Sequence, residues 1–388
     1  FEADVHHLAT RLLPLTLPTM LFTAVGQIFI ALLNVHKKFI WPAFSVYILS
    51  GTIIAFTFLL HENIGISAAC LGQVSGSFLY MAFLFFIGRN TYKYRVKFHL
   101  RDKDVKRSIK MSFPVMWSIS VAEINAVVNR AVASFLFAGS IAALSYASKI
   151  NTVFLSLFIS AISMIVYPMY AESTAKEDMK GLNFRVNSTL SSYVLVLLPL
   201  MCILLCYRSE IVELAFARGR FDANAVQQTQ VLFGCYILGL IFSAFRETLT
   251  KVFYALKDTK TPAKNATIGV VLNIILNLTL PWVLGVKGLA LATSISAMYI
   301  SMSLLVILVR RYETITLRAF FRNLFGVAVS SFILVIFIII SNHFTNNLTP
   351  LLKLLTGLII AGISYITALS AIRVPIWRTL LPMLLKRK

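Results

Sequence analysis

The stretch Tyr254-Ala-Leu-Lys-Asp-Thr-Lys-Thr-Pro262-Ala263 is a short polar break between two long apolar runs. Proline with its fixed φ favours a turn or a helix start, and the lysines mark one membrane face. The same device occurs earlier, as Asn34-Val-His-Lys-Lys-Phe-Ile-Trp-Pro42-Ala43. The two align without a gap at an offset of 220, placing Lys37 on Lys257, Pro42 on Pro262 and Ala43 on Ala263. Further along, Gly65 meets Gly285, Leu71 meets Leu291 and Leu84 meets Leu304; behind the loop, Phe22 meets Phe242 and Ala24 meets Ala244. Loops and apolar runs stay in phase throughout, which is what an internal structural repeat predicts.

The composition fixes the class. The 388 residues are 58% hydrophobic and 13% charged, with mean hydropathy +0.82. That is an all-α polytopic membrane protein rather than a soluble domain. Spans of roughly 20 apolar residues give eleven visible helices, at 10–33, 42–60, 64–88, 112–137, 140–168, 187–206, 226–256, 263–284, 287–309, 319–341 and 350–372. Breaks are expected at Pro42, His61–Asn63, Gly139, Pro168, Gly219, Pro262, Gly285 and Pro350.

Charge sets the expected topology. Loops 34–41, 89–110, 171–186, 257–264 and 310–322, with the tail after 372, hold most of the 36 lysines and arginines. The opposite loops hold only Arg208, Arg218, Arg220 and Lys287. The positive-inside rule then makes the first set, and the C-terminus, cytoplasmic. The net charge of +21 is therefore mostly topological, with some attraction to anionic lipid, and does not indicate nucleic-acid binding. Three further helices before residue 1 are expected, since helices one to three match helices seven to nine while four to six lack a counterpart. The expected divisions are 1–100, the second half of an N-lobe; 101–311, a six-helix C-lobe; and 312–388, two C-terminal helices with a basic tail.

Charges inside spans are costly and usually face an internal cavity. The fourth helix carries Glu123, Asn125, Asn129 and Arg130, the fifth Lys149, and the seventh Arg246, Glu247 and Lys251. Glu247 and Lys251 have the favourable i,i+4 order. Cations outnumber acids, so one reading is satisfied ion pairs and the other a cationic cavity for an anionic substrate, where guanidinium and ammonium groups suit phosphate oxygens. Asn273, Asn277 and Thr293 could form a weak cation site or simply hydrogen-bond between helices. The four cysteines lie in apolar runs and read as buried thiols. No catalytic set, nucleotide loop or metal-ligand spacing is present, so no enzyme is expected.

From Asn129-Arg130-Ala-Val-Ala-Ser-Phe-Leu-Phe-Ala-Gly-Ser-Ile-Ala-Ala-Leu-Ser-Tyr-Ala-Ser148-Lys149-Ile, the chain resembles the MurJ (MviN) family of lipid II flippases. Pro168-Met-Tyr170, Phe216-Ala-Arg-Gly219-Arg-Phe221 and Phe253-Tyr254-Ala-Leu-Lys-Asp-Thr-Lys-Thr-Pro262 extend the resemblance along the chain. It implies membership of the wider superfamily of MATE exporters and polysaccharide flippases, with fourteen helices in two lobes around a central cavity. It also implies a bacterial plasma-membrane transporter that moves a polyprenyl-pyrophosphate-linked peptidoglycan precursor outward by alternating access. Expected partners are the lipid-linked glycan, membrane lipids and cell-wall synthesis proteins, with the transporter itself monomeric. A family cation site would fall near Asn129, Asn273, Asn277 and Thr293. Few acids stand there, which sets sodium coupling in question and leaves protons or the membrane potential. Rival readings are a flippase for another lipid-linked glycan and a cation-coupled drug exporter, the latter suited better by an acidic cavity.

Overall fold

The computed structural model describes residues 3–36, 38, 40–89, 123–136, 139–219, 221–345 and 348–377, with 106, 116 and 120 besides. Among them there is no strand. Among the described residues, ten helical stretches are long and apolar enough to cross a membrane. An eleventh expected span, 112–137, is helical over 123–134, and most of its first half lies outside the described residues. The chain forms two compact units, Phe1–Ile109 and Lys110–Lys388.

The first unit contains α1 (Ala3–Thr16), α2 (Pro18–Val35), α3 (Ile40–Ile64) and α4 (Ser67–Arg89). Helix α4 packs on both α2 and α3. Gly72 and Gly76 permit the approach to α3: a Cβ at Gly72 would stand 2.9 Å from the Phe56 Cβ, and one at Gly76 3.0 Å from the Leu49 carbonyl oxygen. Small residues at a contact let helices meet closely in lipid, where apolar surface alone gives no preference.

The second unit runs from α5 (123–134) through α6 (Ser140–Ala175), α7 (Met179–Cys206), α8 (Arg208–Phe216), α9 (Ala223–Ile237), α10 (Leu240–Ala255), α11 (Lys260–Thr279), α12 (Pro281–Leu284), α13 (Val286–Arg311), α14 (Arg318–Thr345) and α15 (Pro350–Ile372). Its core is a continuous apolar cluster that includes Tyr193, Phe233, Leu249 and Phe253, all fully buried.

The repeat is visible in the backbone. Helix α3 starts at Ile40 and α11 at Lys260, 220 positions apart, and each packs against the helix that follows its turn, α4 or α13. The turns are made by Gly65 at φ +57° and Gly285 at φ +59°, a left-handed backbone that glycine adopts without steric penalty. The polar break before α11 is an Asp cap. Asp258 Oδ1 accepts from the Lys260 and Thr261 amides at 3.1 and 3.0 Å, its Oδ2 accepts from the Thr261 hydroxyl at 2.7 Å, and Arg311 pairs with it at 2.6 Å. These contacts occupy amides that a helix start leaves unpaired.

Six boundaries differ from expectation. Helix α3 runs through the break expected at His61–Asn63 to Ile64, the turn falling at Gly65 instead. The first expected span, 10–33, is divided at Leu17 into α1 and α2, with Pro18 opening the second. Helix α6 continues through Pro168 to Ala175. Helix α7 begins at Met179 rather than 187, capped by Asp178, whose carboxylate accepts from the Gly181 amide at 2.8 Å. The expected single span 226–256 is broken at Leu238–Gly239 into α9 and α10. The loop expected over 207–225 holds a nine-residue helix, α8, whose Glu210 is buried against α15.

The C-terminal pair is fastened to α7 by a polar stripe at four-residue spacing. Asn183 Oδ1 accepts from the Thr316 amide at 3.1 Å. Asn187 donates to the Thr316 carbonyl at 2.8 Å and accepts from the Phe320 amide at 3.2 Å. Ser191 accepts from Asn323 at 3.0 Å, and the Leu195 carbonyl accepts from the Tyr365 hydroxyl at 2.6 Å.

Candidate functional site: cations and carboxamides of the second unit

Each polar residue singled out above in a span lies in the second unit. On α5, Glu123 and Arg130 are both exposed. Seven residues of helix separate them by about 10 Å along the axis, too far to pair directly. Lys149 on α6 is exposed, with Nζ 6.0 Å from the centre of the Tyr146 ring, at the outer edge of cation–π range. Helix α6 packs on α10, which carries Arg246 and Glu247.

Arg246 lies near the middle of α10, inside the candidate span Ala223–Ala255, and is exposed within the structure. Glu247 and Lys251 form the expected i,i+4 pair, Oε1 to Nζ 3.4 Å. Among the described residues, no carboxylate lies within 4.0 Å of Arg130, Lys149 or Arg246. One cation of the four is thus neutralised by its neighbour on the same helix, and three are left to attract an anion.

The carboxamides are placed differently. Asn125 and Asn129 are half-buried and each keeps an Oδ1 with no partner among the described residues. They share a stripe of α5 with Val132 and Leu136, which line an apolar cleft with Leu278 and Pro281. On α11, Asn273 and Asn277 are buried, and Asn277 Nδ2 donates to Asn273 Oδ1 at 2.8 Å.

Residues 1–358 match the family model described as lipid II flippase MurJ. The chain belongs to the MurJ family. It is 29% identical over 308 residues to the probable lipid II flippase MurJ of Vibrio cholerae, spanning 78% of this chain and 58% of that protein. It is 30% identical over 353 residues to the lipid II flippase MurJ of Thermosipho africanus, spanning 91% and 70%. Among solved structures, a lipid II flippase MurJ in an inward closed conformation superposes with TM-score 0.82 at 28% identity, covering 98% of this chain and 77% of that one. An inward-facing MATE-family multidrug transporter of the MOP superfamily shares the fold, with TM-score 0.70 at 11% identity over 81% and 73%.

The residues that the family resemblance implies as a cation site, Asn129, Asn273, Asn277 and Thr293, offer neutral oxygens. Asn277 Nδ2 donates to Asn273 Oδ1 and the Thr293 hydroxyl donates to the Leu289 carbonyl at 3.2 Å, while Asn129 Oδ1 and Asn277 Oδ1 are buried with no partner among the described residues. Among the described residues, no three His, Cys, Asp or Glu side chains cluster as metal ligands would. Amide and hydroxyl oxygens can ligate a small cation, and without a carboxylate the affinity of such a set is weak.

Proposed function

We propose that the protein is a lipid II flippase of the bacterial plasma membrane, with its C-terminus cytoplasmic. The observation that carries this reading is the family match over residues 1–358 joined to three cations, Arg130, Lys149 and Arg246, that have no acid partner among the described residues. The chain spans 58% of its Vibrio cholerae relative, so the activity named for that relative is carried over here as an inference. Arg130 and Lys149 contact the diphosphate and Arg246 supports them, since a diphosphate leaving water needs charge-assisted donors. The lipid tail stays in the bilayer while the headgroup crosses by alternating access.

The membrane potential supplies the drive. An anionic headgroup moving outward gains about 2.3 kcal/mol per charge per 100 mV in an inside-negative cell. This requires no bound cation, in keeping with the carboxylate-free asparagine set. The transporter works as a monomer beside cell-wall synthesis proteins and performs no chemistry on the substrate.

The test is expression from the native gene in a bacterium depleted of its own lipid II flippase, reading lipid II on the outer leaflet. Appearance there, lost on Arg130→Ala or Lys149→Ala with membrane insertion intact, is the expected result. Absence despite insertion overturns the reading and favours another lipid-linked glycan. Loss of export when the membrane potential is collapsed, with no dependence on sodium, is expected for the drive; sodium dependence overturns it.

A further inference from the structure

Helices α6 and α9 enclose a cleft of about 260 Å³ that none of the charged residues above explains. Its floor is Thr229, fully buried, whose hydroxyl has no partner among the described residues. Threonines inside these helices ordinarily give the hydroxyl to the carbonyl four residues back, as Thr189, Thr250 and Thr267 do at 2.9, 2.8 and 3.0 Å. A buried hydroxyl left unpaired loses its hydration with nothing in return, which is a cost a ligand can remove.

The walls are aromatic. Tyr146 and Phe221 both line the cleft, and with Phe216 they form a block with ring centres 4.7, 5.4 and 5.8 Å apart. Three interlocked rings hold a flat face in place at little entropic cost. The rim is polar: Asp222, Asn224 and Gln228. Asp222 Oδ1 already accepts from the Ala225 amide at 2.8 Å, so the carboxylate is held in place.

We propose that this cleft is a saccharide subsite, taking a neutral, hydroxyl-bearing and amide-bearing sugar ring against Tyr146 and Phe221 with its polar groups on Thr229, Asp222 and Gln228. An apolar wall with a few converging polar groups is the usual build of a small-ligand site. The Asp222 carboxylate disfavours a phosphate in the cleft and favours hydroxyl and amide donors. Phosphate has its own place nearby: Lys149 lies one turn beyond Tyr146 on α6, with Nζ 6.0 Å from that ring. Sugar at Tyr146 and diphosphate at Lys149 match a ligand in which the two are joined, so the subsite rests on the function proposed above.

The test uses purified protein in micelles, saturation-transfer NMR, and N-acetylglucosamine and inorganic pyrophosphate as separate probes. Transfer to the sugar is expected, falling roughly five-fold or more in Tyr146→Ala and in Thr229→Val. Thr229→Val keeps the side-chain shape, and an unchanged melting temperature shows that the fold is intact. Pyrophosphate binding is expected to survive Thr229→Val and to fall in Lys149→Ala. No transfer to the sugar, or transfer retained in both cleft variants, overturns the subsite. If lipid II export is observed while the sugar does not bind, the subsite falls and the flippase stands. Sugar binding lost on Thr229→Val, without lipid II export in cells, keeps the subsite and rejects lipid II as the cargo.

Discussion

Lys353 Nζ lies 2.6 Å from Glu210 Oε1, joining the first turn of α15 to the short helix α8. Both side chains are mostly covered, 20% and 12% exposed, so solvent screens the pair little. Removing one partner leaves the other charge buried and unpaired, at a cost of about 3 kcal/mol. Lys353→Met and Glu210→Gln are each expected to lower the melting temperature in detergent by several degrees. The double variant Lys353→Met/Glu210→Leu is expected to recover most of the loss; additive losses would count against the pair.

A second prediction concerns Gly357, one turn further along α15. A Cβ there would collide with the Tyr207 hydroxyl oxygen. Tyr207 is fully buried and cannot move aside cheaply. Gly357→Ala is therefore expected to cost about 1–3 kcal/mol through overpacking. Tyr207→Phe alone removes a buried hydroxyl that has no partner among the described residues, and thermal melting should show it neutral or slightly stabilising.

Asn187 is the member of the α7 stripe with most at stake. Its amide serves both the Thr316 carbonyl and the Phe320 amide at the start of α14. Interhelical hydrogen bonds in membranes average about 0.6 kcal/mol each, but Asn187→Leu also strands two backbone groups. The expected result is faster proteolytic cleavage between α13 and α14 with little change elsewhere. Uniform protection would show that the stripe does not hold the pair in place.

Much of this was legible from residue order. The α11 start, the Gly285 turn and the Glu247–Lys251 pair all follow from local pattern, because each depends on residues within one turn of helix. The α9–α10 break did not show. Gly239 is in right-handed helical geometry, no proline marks it, and its cause lies 55 residues away in Ser294. The Ser294 hydroxyl donates to the Cys235 carbonyl at 2.7 Å, and a Cβ on Gly239 would meet the Ser294 Cα at 2.9 Å. The Thr229 cleft was also hidden, because a threonine in a helix looks satisfied until its hydroxyl is seen unpaired.

The cap at Asp258 predicts a pH dependence. The Thr261 hydroxyl and amide, with Arg311, hold its carboxyl below the ordinary range. A group depressed in the folded state adds stability above its unfolded pKa and loses it as pH falls through the folded value. Melting temperature is thus expected to fall on acidification from neutral pH to about pH 3. Asp258→Asn is expected to be less stable at neutral pH and to show a weaker acid-dependent loss; a loss as steep as the parent's would remove Asp258 from the account.

The matched hairpins behind Gly65 and Gly285 have diverged into unlike mechanical parts. Helix α11 buries Asn265, Gly269, Asn273 and Asn277 along one edge, with the Asn265 amide bonded to the Ile300 carbonyl at 2.8 Å. The corresponding positions of α3 are Ser45, Leu49, Ile53 and Thr57, and of these only Ser45 is buried within its unit. Turning α11 about its long axis would break the Asn265–Ile300 contact to α13, whereas the serine and threonine of α3 at the matching face are bonded to their own backbone. The two hairpins share a backbone plan, and one of them carries a polar latch to its neighbour that the other lacks at the matching position.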